Sequence, residues 1–449
     1  METDWKNKKV LVIGLSISGI AAAKYLIKHG ADVYITEQKK ATAENIEKIK
    51  ELKALGIKIE MGGHGADFAA GAALAITSPS VPLNSEIYTK LKEKGVRIIS
   101  EVSLAYIQSN KPFIAITGTN GKTTTTALTS HILSSEYNAP ACGNIGNPPS
   151  ELIDNDIDYF VCEMSSFQIV HSNPFSSKIA CWTNFTPDHI TWHGCVENYF
   201  NAKAGLFKSP HTPDFAVFNG NDKKLFEFSK TCESEVFLFD KETDKNCCYI
   251  KSDSIYFKGR AKEERIIDIK DCPLEGHHNY QNIMCAVIIA KITGITNAHI
   301  KASIMSFHAP EHRLEKVREY RGITFYNDSK ATNPEAAIVA INSFNGKNVV
   351  LIAGGRDKLT DLNEFCAAVN KHIKTVILIG EAAARFEQSL KNHGFSSIIK
   401  SETMENALDI SVELKPDIVL LSPACASFDM FSGYEERGTV FKKYVLSKK

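Results

Sequence analysis

The sequence predicts an α/β protein of three domains, and three observations carry that prediction. Its 449 residues exceed what one hydrophobic core usually serves, and at roughly 150 residues per domain they imply about three. Short β-branched runs alternate with segments of helical period almost from end to end, the pattern of parallel α/β units rather than of a sandwich or bundle. Polar and glycine-rich turns follow several of those runs, and ligands of open parallel sheets bind beyond the carboxyl ends of strands.

The first series places strands near Val10-Ile13, Val33-Ile35, Ile57-Glu60, Leu74-Ile76 and Val96-Ile99 and closes around Ser100, giving a domain over residues 1–100. The second, over residues 101–309, opens at Phe113-Thr117 and continues through Tyr159-Cys162, Ile179-Thr183 and Ala216-Phe218. It then carries a hairpin within Cys248-Phe257 and a helix from Asn279 to Ile292. A third, over residues 310–449, begins after Ala309-Pro310, because proline disfavours helix for the residue before it. Its strands are Thr324-Tyr326, Val349-Ile352, Val376-Ile379 and Ile418-Leu421, each followed by a helix.

Composition excludes several classes. Apolar residues at 43% and charged residues at 23% are ordinary globular usage. With 52 Lys+Arg against 52 Asp+Glu, no global field draws the chain onto nucleic acid or an anionic membrane, so any anionic ligand is bound locally. No apolar run approaches the roughly 18 residues of a membrane span, and Met1 leads into the first strand without a signal-peptide pattern. Eleven cysteines, with no C-x-x-C pair, suggest neither zinc nor a disulfide framework. The expectation is a soluble cytoplasmic monomer without nucleic-acid partner or membrane insertion.

Chemistry gathers at the strand ends. Phe113-Thr117 runs into Gly118-Thr119-Asn120-Gly121-Lys122-Thr123-Thr124 and then a helix to about Leu133. Strand, glycine loop, Lys and hydroxyl, helix is a phosphate cradle: backbone N–H groups face the anion, Lys122 meets the terminal phosphates and Thr123 can hold Mg²⁺. The loop is shorter than the full P-loop spacing, since Ile116 stands where the first glycine would be. An ordinary helix-capping glycine turn is the plainer alternative. Gly14-Leu15-Ser16-Ile17-Ser18-Gly19, with Glu37 ending the second strand, resembles a dinucleotide fingerprint whose middle glycine is Ser16. That replacement keeps the backbone further from a pyrophosphate and disfavours a nicotinamide cofactor, while another nucleotide diphosphate or a purely structural turn fits.

Glu163 follows the strand Tyr159-Cys162 and would give Mg²⁺, together with Thr123, the one or two protein oxygens a triphosphate-bound ion wants. Asn184-Phe185-Thr186-Pro187-Asp188-His189 follows the next strand, and a helix from about Val196 carries Lys203. Taken alone, Glu163, His189 and Lys203 read as readily as surface residues. Later blocks are GHHNYQN at 276–282, Glu311-His312-Arg313, NDSKATNP at 327–334, GGRDK at 354–358 and LSPACASFD at 421–429. Cys425 reads as a small buried thiol, with no histidine near it in sequence.

In this order and across the whole chain, these blocks resemble the Mur ligases, the ATP-dependent amide-forming enzymes of peptidoglycan synthesis. NDSKATNP and LSPACASFDMF, with Tyr434-Glu435-Glu436-Arg437-Gly438 after them, resemble the D-glutamate-adding branch. The resemblance implies a Rossmann-like N-terminal domain, a central P-loop ATPase-type parallel-sheet domain and a C-terminal Rossmann-like domain. It also implies ATP, two Mg²⁺ ions, UDP-N-acetylmuramoyl-L-alanine and D-glutamate. By matching motif, Lys122 and Thr123 would hold ATP phosphates and metal, with Glu163 and His189 completing the metal and substrate site. Lys203 would be carried as a carbamate bridging to the second ion. Asn282, Arg313 and Asp328 would meet the adenosine; Lys330, Thr332, Lys358, Ser427 and Tyr434 the D-glutamate; and Gly14, Leu15, Ser16, Glu37, Ser78, Asn144 and His189 the UDP-sugar. Glu37 in place of Asp, Ser78-Pro79-Ser80 in place of Ser-Pro-Gly, and Tyr434 in place of Phe depart from the family pattern. Two rivals remain on the residues alone: an NAD-dependent oxidoreductase, which leaves the GTNGKTT loop unexplained, and a non-catalytic ATP-binding switch, which needs no amino-acid pocket.

Overall fold

A computed structural model describes residues 4–42, 45–65, 68–208, 212–260, 262–308, 311–344, 346–357 and 359–448. The expected domain junction at Ala309-Pro310 and the site residue Lys358 lie outside the described residues. Three sheets form the frame. The first is five parallel strands, β1 (Lys9–Ile13), β2 (Asp32–Glu37), β3 (Lys58–Met61), β4 (Leu74–Thr77) and β5 (Arg97–Ser100), in the order β3-β2-β1-β4-β5. Strand residues alternate between its faces. Val10 and Val12 pack with Ala22, Leu26 and Leu52 on one side, Leu11 and Ile13 with Ala75, Ile87 and Leu91 on the other. Burial on both faces is why β1 reads as an unbroken apolar run.

The second sheet has nine strands: β6 (Phe113–Thr117), β7 (Ala141–Gly143), β8 (Phe160–Glu163), β9 (Ile179–Trp182), β10 (Phe215–Asn219), β11 (Glu235–Phe239), β12 (Cys247–Lys251), β13 (Ser254–Lys258) and β14 (Glu263–Asp268). Their order is β14-β13-β12-β11-β10-β9-β6-β8-β7, parallel from β7 to β12 and antiparallel beyond. The third contains β15 (Glu315–Tyr320), β16 (Ile323–Asn327), β17 (Val349–Gly354), β18 (Thr375–Ile379), β19 (Ile398–Lys400) and β20 (Ile418–Leu421), ordered β15-β16-β20-β17-β18-β19, with only β15 antiparallel to its neighbour. The first two sheets belong to one compact unit, residues up to Pro273 with Asn279–Phe307; the third belongs to a second unit, Leu274–His278 with His308–Lys449.

Strands β7, β11, β14, β15 and β19 go beyond the sequence expectation. β14 (EERIID) and β15 (EKVREY) lie at sheet edges, where half of each strand meets water and charged residues interrupt the apolar pattern. β7 and β19 have three residues each, too few for a period to register.

Within the first unit, Glu101 opens the helix Glu101–Gln108 directly after β5, and its carboxylate accepts the Ser150 N–H at 2.6 Å. Burial pushes the carboxyl up from 4.5 to about 7, against the opposing pull of the Ser150 hydrogen bond. A raised acid favours the fold only while protonated, so this contribution is full below about pH 4.5 and is lost as pH rises through about 7. Glu101→Gln keeps the acceptor and removes the titration. Its unfolding midpoint is expected to match wild type at pH 4.5 and exceed it at pH 8, by an amount on the order of 3 kcal/mol at most. Thermal melts at both pH values check this, and equal midpoints at pH 8 would contradict it.

Candidate active site

The phosphate loop is built where the strand order of the second sheet reverses, at β6 between β8 and β9. Gly118 (φ +152°) and Gly121 (φ +80°) turn the chain from β6 into the helix Lys122–Leu133. A Cβ on Gly118 would run into the Thr183 hydroxyl, and one on Gly121 into the Asn282 side-chain oxygen, so both positions need glycine for space as well as for φ. The residues after β9 brace the loop. Asn184 accepts the Thr119 N–H through its carbonyl (3.1 Å) and the Asn120 N–H through its side chain (2.9 Å). Thr183 donates its hydroxyl to Asn120 O at 2.6 Å. Thr119 donates to Thr186 O at 2.9 Å, with Tyr199 Oη 3.2 Å away.

Two lysines converge on one carbonyl. Lys122 Nζ donates to Gly118 O at 2.9 Å and Thr119 O at 2.8 Å, and Lys203 Nζ donates to Gly118 O at 2.7 Å. Lys203 is 1% exposed, with its ammonium 4.9 Å from the centre of the Tyr199 ring. Burial first, and Lys122 second, hold its amine well below the usual lysine range, with Asp188 and Glu163 pulling weakly the other way. Glu163, at the tip of β8, is 1% exposed. Its Oε1 accepts Asn144 Nδ2 at 2.8 Å, while Oε2 is buried with no hydrogen-bond partner among the described residues. Thr123 and Thr124 are buried at the start of the loop helix.

His189 adopts φ 55° at the start of the short helix Ile190–His193, lies 3.4 Å from Asp188 and packs its ring against Phe167. Nearby, His193 Nε2 meets Ser166 Oγ at 3.0 Å, and burial lowers its pKa to about 4. Asn282, on the helix His277–Ile292, accepts from Thr125 Oγ1 at 3.1 Å beneath the loop.

In the first sheet, the predicted nucleotide residues are neighbours. Ser16 caps the helix Ile17–Lys28, accepting Gly19 N–H at 3.1 Å, and lies 2.7 Å from Ser78 Oγ. Glu37 Oε2 accepts the Leu15 N–H at 2.8 Å, and a Cβ on Gly14 would strike Ser78.

The second unit carries its own set. Asp328 is buried, accepting Leu314 N–H at 3.1 Å and the Ser422 hydroxyl at 2.8 Å; burial raises its carboxyl to about 6 against the pull of Arg313. Arg313 Nε is buried without a hydrogen-bond partner among the described residues. Lys330 lies 5.4 Å from the Tyr434 ring centre, and Thr332 N–H donates to Lys330 O at 2.9 Å. Ser427 is 2% exposed. Arg437, 1% exposed, donates to Ser329 Oγ (3.0 Å), Ser329 O (2.8 Å), Cys425 O (3.1 Å) and Ala426 O (3.3 Å), stapling the loop after β16 to the loop after β20. Burial lifts the Cys425 thiol to about 12, which suits a packed residue and not a nucleophile.

The structure therefore brings Lys122, Glu163, Asn144 and Lys203 around one loop and, separately, Gly14, Leu15, Ser16, Glu37 and Ser78 around another. Asn282 belongs to the first unit, Arg313 and Asp328 to the second. Sequence reasoning assigned no role to Thr183, Asn184, Tyr199 or Arg437. Tyr199 had a legible signal, standing four residues before Lys203 on one helix face.

Comparison with known proteins identifies the family. Residues 8–100 match the Mur ligase MurD-like N-terminal domain, 116–290 the Mur ligase middle domain and 312–425 the Mur ligase glutamate ligase domain. The UDP-N-acetylmuramoylalanine--D-glutamate ligase of Caldanaerobacter subterraneus is 38% identical over 98% of both chains. The chain belongs to the Mur ligase family. A ligase of the same name from Clostridioides difficile is also 38% identical, over 99% of this chain and all of that one. Among solved structures, UDP-N-acetylmuramate-alanine ligase MurC from Thermotoga maritima has TM-score 0.62 and 20% identity, covering 98% of this chain and 100% of that one. MurF from the same organism, in complex with ADP, has TM-score 0.59 and 16% identity over 99% and 96%. A Mur ligase fold of three α/β domains is thus established, and among its described residues no helix is long and apolar enough to cross a membrane.

Proposed function

We infer that this Mur ligase joins D-glutamate to UDP-N-acetylmuramoyl-L-alanine at the cost of ATP, releasing ADP and phosphate, as a cytoplasmic monomer. The observation that carries the reading is the full-length likeness to ligases of that name, and the MurF complex with ADP supports the nucleotide. A carboxylate is a poor electrophile. Its oxygen therefore attacks the γ-phosphorus of ATP, ADP leaves, and the acyl phosphate is open to the amine of D-glutamate. Attack gives a tetrahedral intermediate that expels phosphate and loses the amine proton. Phosphoryl transfer depends on positioning and charge neutralisation, which the loop N–H groups not taken by Asn184, the helix N-terminus and Lys122 would provide here.

The donor set fits Mg²⁺. Glu163 offers a buried oxygen without a hydrogen-bond partner among the described residues, and Thr123 a buried hydroxyl at the start of the loop helix; this hard ion takes one or two protein oxygens alongside phosphate oxygens. We assign Thr123, Glu163, His189 and carbamoylated Lys203 to two ions, whose chemistry is neutralisation of phosphate charge. Gly118, Thr119, Asn120, Gly121, Thr124, Asn282, Arg313 and Asp328 hold the rest of ATP. Gly14, Leu15, Ser16, Glu37, Ser78, Asn144 and His189 hold the UDP-sugar. Lys330, Thr332, Lys358, Ser427 and Tyr434 receive D-glutamate, whose two carboxylates call for cations and hydroxyl donors. Isotope-traced ADP release that requires both UDP-N-acetylmuramoyl-L-alanine and D-glutamate tests the reading; release with neither would leave a nucleotide switch.

Lys358→Ala is expected to raise KM for D-glutamate at least tenfold and leave KM for ATP within about twofold, since a cation facing a carboxylate is worth ~1.5–3 kcal/mol. Initial-rate kinetics in both substrates check it. Equal rises would move Lys358 out of the amino-acid pocket.

A further inference from the structure

The carboxyl ends of β1, β2 and β3 carry a polar cluster to which the reaction above gives no task. After β3 the chain turns across the end of β2: Gly62 N–H and Gly63 N–H both donate to Glu37 O, at 2.9 and 3.2 Å. His64 is thereby set beside Thr36, a buried residue whose hydroxyl oxygen lies 2.8 Å from His64 Nδ1, 3.0 Å from Glu60 Oε2 and 3.1 Å from Gly63 O. A hydroxyl has one proton to donate. Two of its three neighbours, a carboxylate and a carbonyl, can only accept, so the proton goes to the oxygens and the imidazole donates through Nδ1. Burial holds the His64 pKa below the ordinary histidine value although Glu37, Glu60 and Glu86 pull it upward. The neutral ring then carries its lone pair on Nε2, which meets no hydrogen-bond partner among the described residues.

Glu37, the acid expected to meet the nucleotide, is held in place by backbone: Oε2 accepts Leu15 N–H at 2.8 Å and Oε1 accepts Lys39 N–H at 2.9 Å. It shapes the turn after β1, at the strand-order reversal where an open parallel sheet binds its ligand. Beside it the imidazole offers a neutral acceptor, the Nε2 lone pair. A uracil ring presents an imide N–H at position 3 between two carbonyls, which a neutral nitrogen acceptor matches. Cytosine has an acceptor at the same position and is rejected. We propose that His64 is a specificity-determining residue for the nucleotide half of the substrate, accepting the uracil N3–H through Nε2. The proposal rests on the uridine-nucleotide reading of the N-terminal domain.

His64→Asn keeps a donor at the δ position for Thr36 and removes the ε acceptor. Calorimetric titration of the full chain with UDP and with N3-methyl-UDP, for wild type and variant, tests the assignment. Wild type is expected to bind N3-methyl-UDP on the order of tenfold more weakly than UDP, one hydrogen bond's worth. His64→Asn is expected to lose about the same factor for UDP and to bind the two ligands alike. A variant that retains the wild-type preference for UDP, or a wild type that does not discriminate, overturns the assignment while the uridine reading stands. Wild type that binds neither UDP nor UDP-N-acetylmuramoyl-L-alanine overturns that reading and the proposal with it. The methylated ligand on wild type decides the matter even where the variant folds poorly.

Discussion

Lys122→Ala is expected to leave a folded protein that forms ADP at least a thousandfold more slowly, a barrier increase of ~4 kcal/mol. The side chain reaches back over the phosphate loop, and its hydrogen bonds are to the Gly118 and Thr119 carbonyls. It belongs to none of the apolar clusters among the described residues, so its loss is expected to fall on phosphate binding rather than on the fold. A conserved melting midpoint beside absent single-turnover ADP formation is the expected pair of results. Turnover within about tenfold of wild type, ~1.4 kcal/mol, would take the loop out of the ATP site.

Lys203→Ala carries the second large effect, with a feature that a plain structural lysine would not share. Burial first, and the Lys122 ammonium on the same Gly118 carbonyl second, lower the Lys203 pKa and so favour the neutral amine, the form that adds CO₂ with loss of a proton. A carbamate there would keep an N–H for Gly118 O and gain anionic oxygens of the kind hard cations prefer. Truncation to alanine is expected to cut activity by two orders of magnitude or more, on the order of 3 kcal/mol, and to open a buried slot the size of the lost side chain. A short carboxylic acid such as acetate should enter that slot and restore part of the rate, and ¹³CO₂ should give a carbamate resonance in wild type alone. Full activity in the alanine variant, or no resonance from wild type, refutes the carbamate.

Much of this site was legible because its chemistry sits in contiguous runs. The loop 118–124 and the block 184–189 each occupy one turn after one strand, so local spacing reports them. What brings them together is long-range and leaves no local mark. Asn184 clasps the loop because β9 lies beside β6, a register that nothing in either run announces. Arg437 reads as one more charge on a polar helix until the loops it joins, one of them 108 positions back at Ser329, are folded against it. Glu37 joins both kinds of signal: its position at the end of β2 points to a ligand, while the amides of Leu15 and Lys39 that its carboxylate accepts are visible only in the fold. The edge strands β14 and β15 escaped notice because solvent on their open side permits the charges that hide them.

Arg437 also bears on how such a pocket could change its preference. Four hydrogen bonds to Ser329, Cys425 and Ala426 fix the stems of two loops, and those stems carry Lys330 on one side and Ser427 on the other. The backbone that carries an ammonium and a hydroxyl is thus fixed in the absence of ligand, which would lower the ordering cost of binding an amino acid there. If these loops receive the dicarboxylic acid proposed above, the guanidinium would act as a ruler for the span between its two ends, and a shorter or longer acid would call for new residues at the loop tips while the staple itself stays in place.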